Sequence, residues 1–348
     1  MAGFTAVVGS SAVPPDRLVD RHPVLDRSRL VAALVPPPRF SVVVFDTFLP
    51  DPAYPSQAAA LSAVVAFAER AGRPKSARGG WRRRAPAPPE HRAGVYLDGG
   101  FGVGKTHLLA SLWRAVPGPK AFATFVELTN LVGALGFQPA AERLAELRLL
   151  CVDEFELDDP GDTVLVSSLL SRLVEGGVRL AATSNTLPDR LGEGRFAADD
   201  FLREIQQLAS AFDVVRVDGE DYRHRGVPLA PRPLGDEDLL RVATSCSAAT
   251  LDDFSELMAH LGTVHPSRYG ALVDDVRLVC LHHVVPLTDQ AAALRLVIFA
   301  DRLYDRDIPV AVSGSSLDQV FAPDMLTGGY RKKYWRALSR LLALSRGD

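Results

Sequence analysis

Two short stretches carry residue types at spacings suited to phosphoryl chemistry. Gly99-Gly100-Phe101-Gly102-Val103-Gly104-Lys105-Thr106 has the order of a phosphate-binding loop. Its glycines let the backbone curl until successive amides point inward, and a helix that opens with His107 in its first turn adds its positive end. In such a cradle Lys105 reaches the β and γ oxygens of a triphosphate, and Thr106 offers its hydroxyl to a magnesium ion bridging them. Leu149-Leu150-Cys151-Val152-Asp153-Glu154 supplies the complement, four apolar residues ending in two carboxylates. Asp153 would orient the ion, and Glu154 would polarise a water for in-line attack on the γ-phosphate. The bland alternative is a surface acid pair in a run that continues through Glu156, Asp158, Asp159 and Asp162. A glycine loop upstream argues against it.

Four other residues are candidates with open alternatives. Asn185 ends the run Ala182-Thr183-Ser184-Asn185, where it would hold the attacking water or the γ-phosphate, or cap a turn. Sheet order decides between these. Arg195 and Arg203 could stabilise charge on the transferring phosphoryl group, in a neighbouring subunit if the protein assembles, or form structural salt bridges. Arg340 lies in a basic segment with Arg331, Lys332, Lys333 and Arg336. It is a candidate γ-phosphate contact, against the reading of a solvated basic face; Lys332 and Lys333 could instead meet an acidic partner.

The elements that must position these groups show in the pattern of apolar runs. Runs at 95–97, 121–126, 149–152, 178–182 and 214–217 alternate with longer helical stretches. That predicts an α/β fold with a five-stranded, mostly parallel sheet covered on both faces. Ahead of it, prolines at 36–38, 50, 52 and 55 predict an extended arm with a short strand at 41–45 and a helix over 56–71. Arg73, Lys75, Arg78, Trp81 and Arg82 to Arg84 read as an exposed basic loop. The expected organisation is an arm, helix and loop over 1–90, a P-loop core over 91–225, a linker over 226–249 and a largely helical, mixed α/β lobe over 250–348.

Leu278-Val279-Cys280-Leu281-His282-His283, with Val310-Ala311-Val312-Ser313 downstream, echoes Leu149 to Glu154 and Ala181 to Ser184. The separation of Cys151 from Ser184 equals that of Cys280 from Ser313. A repeat predicts a lobe without a P-loop and without catalysis; the competing reading is that apolar strands before helices look alike. Adjacent histidines on a strand alternate faces, so no zinc site is expected at 282–283.

Composition narrows the classes. Among 348 residues, 39 basic and 42 acidic side chains leave a net charge of −3, so no global field favours nucleic acid or an anionic membrane. The 47% apolar content is enough for real cores. Three cysteines without paired spacing fit a reducing compartment, no apolar run is long enough to span a bilayer, and the first residues lack a basic leader. A cytoplasmic protein is expected.

With these residues on the page, the chain resembles the ZapE cell-division ATPase family of bacteria, related to the mitochondrial lactation-elevated ATPase and a branch of the AAA+ proteins. The matching stretches are Phe45 to Gln57, the P-loop, Leu149 to Glu156, Ala182 to Asn185, Asp221 to Arg225, Leu303-Tyr304-Asp305 and Ser339-Arg340-Leu341. The resemblance implies an AAA+ fold, hydrolysis of ATP with Mg2+, Asn185 as a sensor, and a homo-oligomeric ring for which a hexamer is a candidate size. It also implies action on FtsZ polymers or other division proteins, with recruitment to the division site. The family's Phe-Leu-Pro-x-Ile appears here as Phe201-Leu202-Arg203-Glu204-Ile205, and its Phe-His-x-Phe as Phe122-Ala123-Thr124-Phe125, whose aromatics read as core. Two other functions stand beside this one: a helicase-loader-like nucleic-acid module using Arg82 to Arg84, and a scaffold gated by nucleotide.

Overall fold

The computed structural model describes residues 15–24, 26, 28–73, 92–100, 102–155, 160–186, 206, 208–220 and 230–345. The chain divides into two compact units, Asp26–Gly226 and Met1–Leu25 with Val227–Asp348.

The first unit holds α1 (Pro55–Gly72), β1 (Gly94–Gly99), α2 (Lys105–Ala115), β2 (Lys120–Thr124), α3 (Phe125–Leu135), α4 (Phe137–Ala145), β3 (Leu149–Asp153), α5 (Pro160–Glu175), β4 (Arg179–Ser184) and β5 (Phe212–Val217). The five strands lie in the order β2-β3-β4-β1-β5, and all pairings are parallel. The five-stranded parallel sheet expected from the sequence is present. Central β1 and β3 are buried along their whole length, as strands covered on both faces must be, whereas edge strand β5 alternates. Val95, Leu97, Leu149 and Cys151 pack with α1 and α2 in one cluster, joined by Val64, Phe67, Leu108 and Leu112.

Local chemistry explains where elements start and stop. Pro55 opens α1 at a position whose amide has no helical partner, and Ala60, Val64, Phe67, Ala68 and Ala71 then form one buried face. The sequence reading carried the second strand to residue 126. It ends at Thr124 because that side chain caps α3: Thr124 Oγ1 accepts from Glu127 N at 3.2 Å, and Glu127 accepts from Thr124 N at 2.8 Å. The strand expected at 41–45 is absent; 3-10 turns occupy Pro38–Phe40 and Phe45–Thr47, next to prolines that fix φ and lack an amide hydrogen.

The second unit has a three-stranded parallel sheet, β6 (Ala249–Asp253), β7 (Leu278–Val284) and β8 (Val310–Gly314), in that order. Around it lie α6 (Asp236–Ser245), α7 (Phe254–Leu261), the single turn α8 (Tyr269–Leu272), α9 (Gln290–Asp305) and α10 (Arg331–Leu344). Its core joins Phe254, Leu257, Leu296, Phe299, Leu303, Leu338 and Leu341. The expected linker contains a helix. Prolines at 228, 231 and 233 precede α6, whose acidic first turn and buried Leu239 and Ala243 suit a helix start. Residues near the N-terminus, read as an arm toward the phosphate loop, instead join this second unit: Leu18 is fully buried in its core, and Asp252 accepts from Leu18 N at 3.0 Å and Val19 N at 3.1 Å. Among the described residues no helix is long and apolar enough to cross a membrane.

Candidate active site

Strand β1 sits inside the sheet with β4 on one side and β5 on the other, so the loop leaving β1 opens beside the carboxyl ends of both. Gly102 and Gly104 have φ of 78° and 90°. Gly99 lies so close to β5 that a Cβ there would come within 2.0 Å of Val217 O. The positive φ values fold the loop back on itself, and the close approach seats the end of β1 against β5. The ladder of α2 begins with Leu108 N donating to Gly104 O at 3.1 Å, so the amides of residues 105 to 107 lie outside it at the positive end of the helix.

Lys105 is buried, and its ammonium donates to the carbonyls of Gly99 (2.8 Å) and Gly100 and to Asn185 Oδ1 (3.0 Å). Sheet order thus brings Asn185 to the P-loop lysine, because β4 separates β3 from β1. Thr106 Oγ1 donates to Asp153 Oδ1 at 3.2 Å, and Thr183 donates to the same carboxylate oxygen. Asp153 is buried. Desolvation, with the nearby Glu154 charge, lifts its pKa to about 6 despite these two hydroxyls. Glu154 follows in a left-handed turn (φ 52°), its amide donating to Thr183 Oγ1 at 3.1 Å. Thr183 therefore clamps both acids from the neighbouring strand. The sequence reading gave it no role, although a hydroxyl one strand over, at the same height as the acids, was the available signal.

Three further contacts shape the loop from outside the motifs. Phe48 lies edge-on to the His107 ring at 5.6 Å, and His107 Nε2 is 2.9 Å from Thr47 Oγ1. The His107 side chain therefore engages the segment before α1, leaving its backbone amide as the part at the helix start. Gln57 Nε2 donates to Asp218 O (2.8 Å), while its Oε1 accepts from Asp51 N (2.9 Å), tying α1 to the end of β5. Asp98, buried at the end of β1, pairs with Arg216 across the β1–β5 register. Of these residues, the sequence reading had singled out His107, as part of the phosphate cradle, and the stretch from Phe45 to Gln57.

The other expected residues fall as follows. Phe122 and Phe125 are core. Phe101, Arg195, Arg203, the basic loop from 74 to 84 and the Asp221 to Arg225 stretch lie outside the described residues. Arg340 pairs with Asp301 and lies over the Tyr304 ring at 5.2 Å, contacts made within the second unit. Of the neighbouring basic residues, Arg336 also reaches Asp301, at 3.0 Å.

A glycine loop between a central strand and a helix, a buried lysine at its mouth, paired acids on the strand two places along and an amide on the strand between them meet at one sheet edge, the arrangement expected of a P-loop protein. The AFG1-like ATPase family model matches residues 24–237 and 237–348, and the chain belongs to that family. It is 30% identical over 304 residues to the cell division protein ZapE of Escherichia coli strain K12, an alignment spanning 75% of this chain and 80% of that protein. It is also 28% identical over 170 residues to lactation elevated protein 1 homolog B of Danio rerio, spanning 42% of this chain and 33% of that one. Among solved structures it is similar to AMPPCP-bound DnaA from Aquifex aeolicus, with 13% identity, a TM-score of 0.38, and coverage of 52% of this chain and 50% of that one. The family read from the sequence motifs is borne out.

Proposed function

We propose that this chain hydrolyses ATP in a Mg2+-dependent cycle and uses it to remodel a protein partner in cell division. The observation that carries the reaction is the convergence of Lys105, Asn185, Thr106 and Asp153 at one sheet edge. The groups fit the ion: a hydroxyl and a carboxylate are hard oxygen donors of the kind Mg2+ takes, and a buried carboxylate with a raised pKa gains from a neighbouring dication. Thr106 and Asp153 would hold it, and the bound ion would offset charge on the β and γ oxygens.

The remaining work belongs to side chains. Lys105, pre-placed on the Gly99 and Gly100 carbonyls, exchanges those partners for phosphate oxygens when nucleotide enters. Glu154 takes the proton of the attacking water, and Asn185 aligns that water or the γ-phosphate. Arg195 or Arg203 completes the site from a neighbouring subunit of a ring. Arg340 we leave in its pairing with Asp301.

The division role rests on the relationship to the Escherichia coli protein; an FtsZ polymer is the partner we propose, met in the cytoplasm at the division site. The test is Glu154→Gln. It should bind ATP, turn over at least roughly 100-fold more slowly, and hold FtsZ in an ATP-dependent complex that sediments with polymer. Turnover at the original rate would overturn the catalytic reading; absence of any ATP-dependent FtsZ complex would overturn the partner.

A further inference from the structure

The second unit repeats the ATPase sheet. Strand β6 runs into α7 as β2 runs into α3, with Asp253-Phe254-Ser255-Glu256-Leu257 in place of Thr124-Phe125-Val126-Glu127-Leu128. Each junction is capped by its own side chain: Asp253 accepts from Ser255 N and Glu256 N as Thr124 accepts from Glu127 N. Strand β7 pairs with β8 in parallel as β3 pairs with β4, Cys280 standing opposite Ala311 as Cys151 stands opposite Ala181. Leu234 bridges Ser313 in parallel on the outer side of β8, where β1 lies beside β4 in the first sheet. The two strands of the repeated motif are thus paired alike in both sheets, with one adjustment: by register, the counterpart of Ser313 is Thr183, one residue before Ser184.

The correspondence extends to the ion-binding edge. His282 and His283 stand where Asp153 and Glu154 stand, and Asp236 opens α6 as Lys105 and Thr106 open α2. His283 adopts φ 54°, the counterpart of Glu154 at 52°, and its amide donates to Ser313 Oγ at 3.1 Å as that of Glu154 does to Thr183 Oγ1. This left-handed turn overturns the expectation from strand alternation. Instead of pointing to opposite faces, the two imidazoles stack at 5.2 Å with 30° between their planes.

Both rings meet one carboxylate. Asp236 Oδ1 is 3.3 Å from His282 Nδ1, and Asp236 Oδ2 is 3.4 Å from His283 Nε2. Ligands about 2.0–2.1 Å from a tetrahedral ion stand roughly 3.3 Å apart, so a shared ion needs these side chains to draw in by about 1 Å, a rotamer adjustment open to exposed groups. One donor atom from each of Asp236, His282 and His283 falls within 4.8 Å of the other two. His283 Nδ1 lies 3.1 Å from Asp253 Oδ2, which keeps the hydrogen on that nitrogen when a metal displaces the proton from Nε2.

We propose that the second unit binds one transition-metal dication, of which zinc is the best match, through Asp236, His282 and His283 at the edge where the ATPase sheet carries its paired acids. Imidazole in place of carboxylate changes the preference from Mg2+ to a softer ion, and three protein ligands leave a position for water. His283 is 62% exposed at its side chain, so the ion is reached directly from solvent. The inference is independent of the ATPase reading.

Calorimetric titration of the nucleotide-free full chain with Zn2+ tests it, alongside visible absorption with Co2+. The expected result is one saturable equivalent with a Co2+ d–d band. Affinity should fall at least tenfold in Asp236→Asn and in the His282→Ala/His283→Ala double variant, and about 10- to 100-fold in Asp253→Asn. The band should persist in Lys105→Ala, which separates this site from the phosphate loop. Asp236→Asn is isosteric, so loss of the band there with an unchanged circular dichroism spectrum is not a folding effect. No saturable equivalent in the wild type, or wild-type affinity retained in Asp236→Asn and in the double variant, would overturn the proposal and leave the cluster as ordinary ion pairs.

Discussion

Asp153 shows how a single side chain can oppose the stability of the protein that carries it. Its pKa is about 6 in the folded chain against an ordinary 3.8, so folding favours the protonated form. Between about pH 4 and pH 6 the unfolded chain has already lost this proton while the native chain still holds it. Stability of the nucleotide-free protein should therefore fall as pH rises through that window and level off above it, with about 3 kcal/mol at stake. Asp153→Asn keeps an oxygen acceptor for Thr106 and Thr183 but removes the charge. It should gain about 1–3 kcal/mol at pH 8 and flatten the slope in denaturant melts at pH 5 and pH 8, while losing Mg2+-dependent turnover. A loss of stability at pH 8 would contradict the account. Asn185→Ala removes the side-chain oxygen that accepts from the Lys105 ammonium and should lower turnover roughly 10- to 100-fold with little change in melting temperature. Steady-state ATPase assays decide it, and an unchanged rate would return Asn185 to turn capping.

At the level of elements, the phosphate loop depends on close approach more than on glycine flexibility alone. A methyl group at Gly99 would meet the Val217 carbonyl, which is sheet backbone and has nowhere to move. Gly99→Ala should separate β1 from β5 and cost about 3 kcal/mol, read as a lowered urea midpoint. Gly104→Ala is strained by its φ of 90° and would also bring a methyl within 2.5 Å of the Phe48 ring. Phe48→Ala should relieve the second problem but opens a cavity in the core, so a double variant should lose less than the sum of the two single variants in urea melts. All five strands of the first sheet were legible, because apolar runs between helical stretches are hard to mistake. The 3-10 turns at 38–47, β6 and helix α6 were not, since proline neighbours and short amphipathic segments give no clear period.

For the whole molecule, each unit has its own core, and the chain contributes to the second one from both ends. Leu18 is fully buried there, and the buried Asp252 carboxylate receives two amides from the same segment. Leu18→Ala should cost about 2–5 kcal/mol. Hydrogen exchange should then accelerate for amides of β6, β7 and α9, while β1 and β3 keep their protection. Faster exchange spread evenly through both sheets would show that the two cores do not open separately.

By itself the sequence determined the phosphate loop, the paired acids, the five-strand alternation and the family, because each is a local pattern in which residue type and spacing already express the chemistry. Tertiary structure decided what depends on neighbours distant in the chain. Strand order carried Asn185 to Lys105, a hydroxyl from β4 clamped both acids, and burial raised the Asp153 pKa. The placement of residues 15–20 on the second sheet and the left-handed turn that stacks His282 on His283 belong to the same class. Backbone register and desolvation arise only when separate segments pack, so no local reading of residues can contain them.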